Sequence, residues 1–264
     1  MKQVTQANKA LTLANKLITL GDNLRAIKGM KALYDISEEP VQADASSKIA
    51  ISDLMGNGYD LSQPTSTKRG TYRTNIFNGK PSVRLDGTDD WYQMALKDIT
   101  NNKSGFSFFA VYKKVAGTGS QAIFSFTEAA TTSSRWAFFN NIVTAVTARM
   151  LLTKPDAGTS YTTEFAQNDT NIHIVIGTVD NTADPVTGLG KLILYVDNVA
   201  LPAVSIPVGN SPSTNSQACI IGAGGSTTTN FFNGDLGCLG FADVTWSASE
   251  TKPIYTILAE KFIP

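Results

Sequence analysis

The chain has 264 residues, enough for one large β domain or two modest ones with a real core. Its 42% hydrophobic and 17% charged residues are those of a globular protein, and 22 basic residues against 22 acidic ones leave no formal net charge. Without a basic excess, or any Lys/Arg cluster beyond pairs such as Lys68-Arg69 and Lys113-Lys114, a nucleic-acid partner is not expected.

Residues 4–30 differ from everything after them. Ala10, Leu13, Leu17, Leu20, Leu24 and Ile27 recur at three- and four-residue steps, so they line one face of a helix. Gly21 interrupts the pattern, at a cost of about 1 kcal/mol relative to Ala, or splits it into two shorter helices. Such a narrow face packs on its own domain, on a neighbour, or in a short coiled coil. Residues 1–31 are therefore expected to be a helical arm for assembly or attachment, with Leu13, Leu17, Leu20, Leu24 and Ile27 as its contact stripe. Asn15-Lys16 breaks the apolar run and no A-x-A-like site follows, so a signal peptide is not expected. No apolar run reaches the roughly 18 residues that span a bilayer, so no membrane insertion is expected.

From Ala32 onward Gly, Pro, Asn or Asp punctuate a series of strand-like segments. These are Gly105–Lys113, Gln121–Phe126, Arg135–Asn140, Ala148–Thr153, Ile172–Val179, Lys191–Val196, Cys219–Gly222 and Gly237–Ala242, rich in β-branched and aromatic residues. Many short strands with almost no helix predict an antiparallel sandwich or barrel over residues 32–264. In GFSFFAVYK, Phe106, Phe108 and Ala110 face one way and Phe109 and Val111 the other, which predicts a strand covered on both sides. Gly209–Gln217 and Gly222–Asn230 read as loops, and Ser249–Phe262 as a short C-terminal helix with Ile254, Ile257, Leu258 and Phe262 on one face. Cys219 and Cys238 sit in apolar strands and read as buried thiols, with a disulfide open only if those strands pair.

Pro81–Met94, PSVRLDGTDDWYQM, reads as a strand, a tight acidic turn at Asp86-Gly87, and an aromatic strand through Trp91 and Tyr92. Catalytic chemistry is not apparent anywhere. The E-x-D-x-E carboxylate pattern of sandwich glucanases is missing, and so is a G-x-S-x-G elbow. His173, the one histidine, alternates with Ile172 and Ile174 as a strand residue, and one His with two distant Cys makes no zinc site. The chain reads as a non-enzyme.

Laid in order, these pieces resemble the concanavalin A-like lectin/glucanase superfamily, in particular its laminin G-like jelly-roll branch, over about Leu33 to Pro264. Leu33-Tyr34-Asp35 and the D-x-x-G-N-G-x-D-L stretch Asp53–Leu61 resemble its opening element, split here by an insertion, Ile36 to Ile51. Pro81–Met94 resembles the family's acidic hairpin, with Leu85 where Phe is usual. Asn171–Asp180 and Lys191–Asn198 resemble two later strands, with Asn198 where Gly is common. Phe232–Leu236 and Trp246–Phe262 resemble its closing strand and helix. The resemblance implies an all-β antiparallel sandwich with the helical arm and the C-terminal helix added.

In style the module is similar to those of bacteriophage virion proteins and bacterial surface proteins. That implies a structural or host-attachment protein in a virion, partnered by other virion proteins or, through the arm, by itself, and adhering to cell-surface glycans. The alternative is a carbohydrate-binding module on a bacterial surface or secreted. Glycan contact calls for an exposed ring beside amide or carboxylate groups. The candidates are Trp91, Tyr92 and Gln93, with Trp136 and Tyr161, the last placed in a Thr-rich loop. Related modules sometimes bind calcium, and Asp86, Asp89 and Asp90 are the candidate ligands. The plainer expectation is that Asp86 and Asp89 accept backbone N–H bonds and hold the turn, with no cofactor.

Overall fold

The computed structural model describes residues 22–94, 99, 103–115, 120–126, 135–140, 147–153, 160–167, 169–208, 219–224 and 229–264. In chain order the strands are β1 (Met30–Asp35), β2 (Ala50–Ile51), β3 (Leu61–Ser62), β4 (Thr71–Phe77), β5 (Lys80–Asp86), β6 (Tyr92–Met94), β7 (Gly105–Lys114), β8 (Gln121–Phe126) and β9 (Arg135–Asn140). They continue as β10 (Thr147–Thr153), β11 (Ser160–Ala166), β12 (Ile172–Asp180), β13 (Leu189–Val196), β14 (Val199–Ala200), β15 (Val204–Pro207), β16 (Cys219–Ile221) and β17 (Asn233–Ala242), before a C-terminal helix, Ala248–Phe262.

The strands form two antiparallel sheets. The first runs β14-β13-β12-β7-β17-β5-β4, with β1 also on β17 and β15 also on β13. The second runs β11-β10-β9-β8-β16-β6-β3-β2. Their facing sides enclose the main core. Phe106, Phe108, Ala110 and Tyr112 of β7 meet Phe124 and Phe126 of β8, Phe138 of β9 and Phe241 of β17. The Phe108 and Phe124 rings meet edge to face at 4.6 Å, a favoured geometry for two quadrupoles. Alternation sends Phe109 and Val111 to the other side of β7, where they join Ile174, Ile176 and Cys238 beneath Trp246, Ile254, Leu258 and Phe262. The two-sided apolarity of β7 thus builds three layers, sheet on sheet on helix.

The C-terminal helix starts at Ala248, one residue before the start read from sequence. Ser247 is its cap, and the Glu250 carboxylate takes the Ser247 N–H at 2.8 Å. At its far end Lys261 is buried between Asp35 (2.6 Å) and Glu38 (2.8 Å), which fixes the helix to the end of β1. The insertion Ile36 to Ile51 is tied down by a buried Lys48–Glu39 pair at 2.8 Å, and a Ser47–Thr71 bridge joins it to β4.

Several expectations change here. Pro81–Met94 is not a hairpin: β5 pairs with β4 and β17 in the first sheet, whereas β6 pairs with β3 and β16 in the second. The acidic turn carries the chain from one sheet to the other. Tyr161 lies in β11, opposite Leu152, not in a loop. β1 begins at Met30, inside the residues assigned to the arm. Leu24 is fully buried in the outer core and Ile27 packs against it, so the described end of the arm is integrated with the sandwich. Leu13, Leu17 and Leu20 lie outside the described residues, as do residues 209–217. Cys219 faces the inter-sheet core and Cys238 the helix-covered one, so the two thiols are free.

Candidate functional site

The turn between the sheets is built from its own side chains. Asp86 Oδ1 accepts the N–H of Thr88 at 2.8 Å and of Asp89 at 3.3 Å, an Asx turn. Asp90 Oδ2 accepts the N–H of Asp86 at 3.1 Å. The two acceptors are therefore Asp86 and Asp90, where the sequence suggested Asp86 and Asp89. Gly87 has φ 77°, and a Cβ there would lie 2.6 Å from Asn233 Cβ, so both conformation and space demand glycine.

Oxygens of Asp86, Asp89 and Asp90 come within 4.8 Å of one another, the one such group among the described residues. Together they could offer a hard cation three ligands, about half of what calcium takes. Burial, and then the neighbouring Asp86 charge, push the Asp90 carboxyl up to about 6.

Beyond the turn, alternation separates three candidates that are adjacent in sequence. Tyr92 points inward and is fully buried, its hydroxyl donating to the Lys48 carbonyl at 2.7 Å, so its ring has no free face for a ligand. Trp91 and Gln93 point outward. Trp91 is half-buried on Ile220 and Ala223 together with Phe231, while Gln93 is exposed and stands opposite Ile220 in register. The Trp91 backbone is clamped on both sides, its N–H to the Lys68 carbonyl (3.2 Å) and its carbonyl to Gln63 Nε2 (3.1 Å). The Trp91 Nε1 is buried and has no hydrogen-bond partner among the described residues, so the polar edge of the indole is turned inward.

In register, Gln93 stands between Ile220 and the exposed Ser62, and the row runs on through Ser125 and Ala137, which like Ile220 are buried. Trp136 stands in the next row, opposite Phe126 and Leu152, and its side chain lies outside the described residues. Tyr161 packs against the inter-sheet core. The structure therefore does not gather the sequence candidates into one group. It joins Trp91 and Gln93 to Phe231, which sequence reading missed. The Phe231-Phe232 pair was a usable signal: of the two adjacent rings, just ahead of the last strand, only Phe232 is fully buried.

His173 lies elsewhere, at the start of β12. Its Nδ1 meets Asp197 Oδ2 at 2.8 Å and its Nε2 meets Asp169 Oδ1 at 2.9 Å. Burial alone would lower its pKa, but the hydrogen bonds to Asp197 and Asp169 outweigh it and hold the imidazole above its usual value. With both nitrogens engaged, His173 is no free general base. Burial pushes both thiols far up as well, which leaves Cys219 and Cys238 inert as nucleophiles.

No protein-family model matches the chain, and no curated protein matches its sequence. Its fold is similar to solved structures of β-sandwich binding domains. One is the binding domain of botulinum neurotoxin DC in complex with rat synaptotagmin II (TM-score 0.58, 11% identity, 87% of this chain and 52% of that one). Another is the ligand-binding domain of botulinum neurotoxin serotype D in complex with N-acetylneuraminic acid (TM-score 0.59, 10% identity, 86% and 50%). A third is the carbohydrate-binding module CBM40 of the Ruminococcus gnavus IT-sialidase, bound to α2,3-sialyllactose (TM-score 0.53, 10% identity, 66% and 95%). The chain spans about half the length of the neurotoxin domains. At such identities the likeness is one of fold: an all-β antiparallel sandwich.

Proposed function

We propose that this chain is a non-catalytic adhesion module that holds a glycan on the outer face of its second sheet. The observation that carries this reading is the partly buried rings of Trp91 and Phe231, packed on Ile220 and Ala223, beside the exposed Gln93 amide. Apolar sugar faces stack on such rings, and an amide both donates to and accepts from hydroxyls. The fold supports it, since solved sandwiches of this shape include domains holding N-acetylneuraminic acid and sialyllactose. The acidic turn is read as a self-satisfied support for Trp91, with no cofactor required. As setting, we propose a host-attachment or structural protein of laminin G-like build in a bacteriophage virion, its N-terminal arm assembling copies or binding other virion proteins. A surface or secreted bacterial carbohydrate-binding module is the second reading, favoured by the likeness to CBM40.

A glycan array run with the wild-type chain, Trp91→Ala and Phe231→Ala tests the site, with circular dichroism as the folding control. Binding by the wild type that falls at least ~10-fold in both folded variants is expected, as a lost stacking contact of about 1.4 kcal/mol implies. Wild-type binding that survives in Trp91→Ala would move the site, and no binding to any sugar would sink the reading.

A further inference from the structure

We infer that the groove between residues 23–28 and the C-terminal helix receives the leucine stripe Leu13, Leu17 and Leu20 of a second copy of this chain. The inference rests on the assembly role proposed for the arm, and it gives the arm a place to bind. The groove has a volume of about 260 Å³ and is walled by Ala26, Ile27, Trp246, Pro253, Ile254 and Ile257. Lys28 and Glu250 form an exposed ion pair across its rim at 3.2 Å. An apolar floor with a charged rim is the composition of a surface that another chain covers.

The stripe itself points to the occupant. Leu13, Leu17, Leu20, Leu24 and Ile27 are one sequence series. Its last two members are already docked: Leu24 is fully buried in the outer core, and Ile27 packs on that core while forming a wall of the groove. This flank of the domain therefore takes the side chains this stripe offers. The first three members need equivalent cover, and 21 residues precede Asp22, where the described chain begins.

The short connection argues for a second copy over the same one as the source of that cover. Residues 22–25 are helical, and the groove wall starts at Asn23. Only Gly21 separates Leu20 from that helix, whereas an antiparallel return between helices takes about two to five residues. A second copy has no such constraint. If each copy lends its stripe to the other's groove, the contact is isologous and closes as a two-fold dimer.

Size-exclusion chromatography with light scattering on the full chain tests this, alongside a variant with Leu13→Ser, Leu17→Ser and Leu20→Ser and a second variant, Ile257→Glu. Each folded variant should weaken the wild-type dimer at least ~10-fold. Mixing a Leu17→Cys chain with an Ile257→Cys chain should give a disulfide-linked dimer under oxidising conditions, faster than mixing with Val186→Cys on the exposed 181–188 loop. A monomeric wild type would overturn this inference and the self-assembly half of the arm's role, leaving only the binding of other virion proteins. A dimer that the stripe variant dissolves but Ile257→Glu leaves intact would keep the assembly role and overturn the groove. A Leu17→Cys/Ile257→Cys double variant that closes within one chain would overturn it too.

Discussion

His173 shows at single-residue scale how pairing fixes a charge state. A neutral imidazole has one N–H, so it can satisfy only one of the two carboxylates at its nitrogens; the imidazolium satisfies both. Its folded pKa is therefore raised, and the stability it contributes is complete below about 6.5 and lost as pH rises through the folded value. Asp90 works in a lower window. Its folded pKa of about 6 exceeds the ordinary carboxylate value, so its stability contribution is lost as pH rises from about 4 to about 6. Urea unfolding as a function of pH should separate the two. Asp90→Asn, which keeps an oxygen for the Asp86 N–H, should stabilise the protein near neutrality by on the order of 1–2 kcal/mol and flatten the lower window. His173→Gln should flatten only the window above about 6.5, and the single histidine gives one NMR titration to check against it. A His173 pKa at or below the usual value would defeat the imidazolium assignment. Little of this pair was legible in sequence. Asp169 is four residues from His173, but Asp197 arrives from the β13–β14 turn, where Asp197 and Asn198 both have positive φ (48° and 71°). Asn198 there takes the conformation that glycine takes more often.

Whole elements were more legible than their connections. The strands from Gln121 and Arg135 match the sequence reading at both ends, and the C-terminal helix starts one residue earlier than read. Their aromatic and β-branched runs are long enough to show a period. β11 was missed because SYTTEFA hides its alternation among Ser and Thr: Tyr161, Thr163 and Phe165 share one face, Thr162 and Glu164 the other. β4 was missed because Asn75, at φ 57° within a register shift, reads as a breaker. The sheet-to-sheet crossing after β5 was invisible for another reason: a hairpin and a crossover can share one turn, and only distant partners decide between them. The D-x-x-G-N-G-x-D-L stretch, by contrast, has a local cause. The Asp53 carboxylate accepts the N–H groups of Leu33, Met55, Asn57 and Tyr59, at 2.9 to 3.4 Å. At the other end of the chain, Lys261 is the element-level lock between helix and β1. Lys261→Met leaves Asp35 buried without its cation, which should cost about 3–5 kcal/mol. A lowered midpoint with an unchanged m-value in urea would confirm it, and a loss below about 1 kcal/mol would show that the pair is dispensable.

At the scale of the molecule, β7 makes one cooperative unit out of two cores. Phe108 and Phe109 are neighbours in sequence, yet Phe108 belongs to the inter-sheet core and Phe109 stacks on Trp246 under the helix. Each also reaches across its sheet to a partner without a side chain: Gly177 leaves room for the Phe108 ring and Gly240 for the Phe109 ring. A rigid central sheet shared in this way transmits loss of either layer to the other, because close-packed interiors do not loosen by halves. Phe108→Ala and Phe109→Ala should each cost about 3–5 kcal/mol, and both should lower one and the same calorimetric transition. The outer layer also carries Leu24 and Ile27, so the arm's attachment should persist up to that common transition. A biphasic melt in Phe109→Ala, with helical signal lost ahead of the near-ultraviolet signal of the inter-sheet aromatics, would instead make the helix layer a separable unit. The groove would then open before the sandwich does, and assembly would have to be lost at the first step.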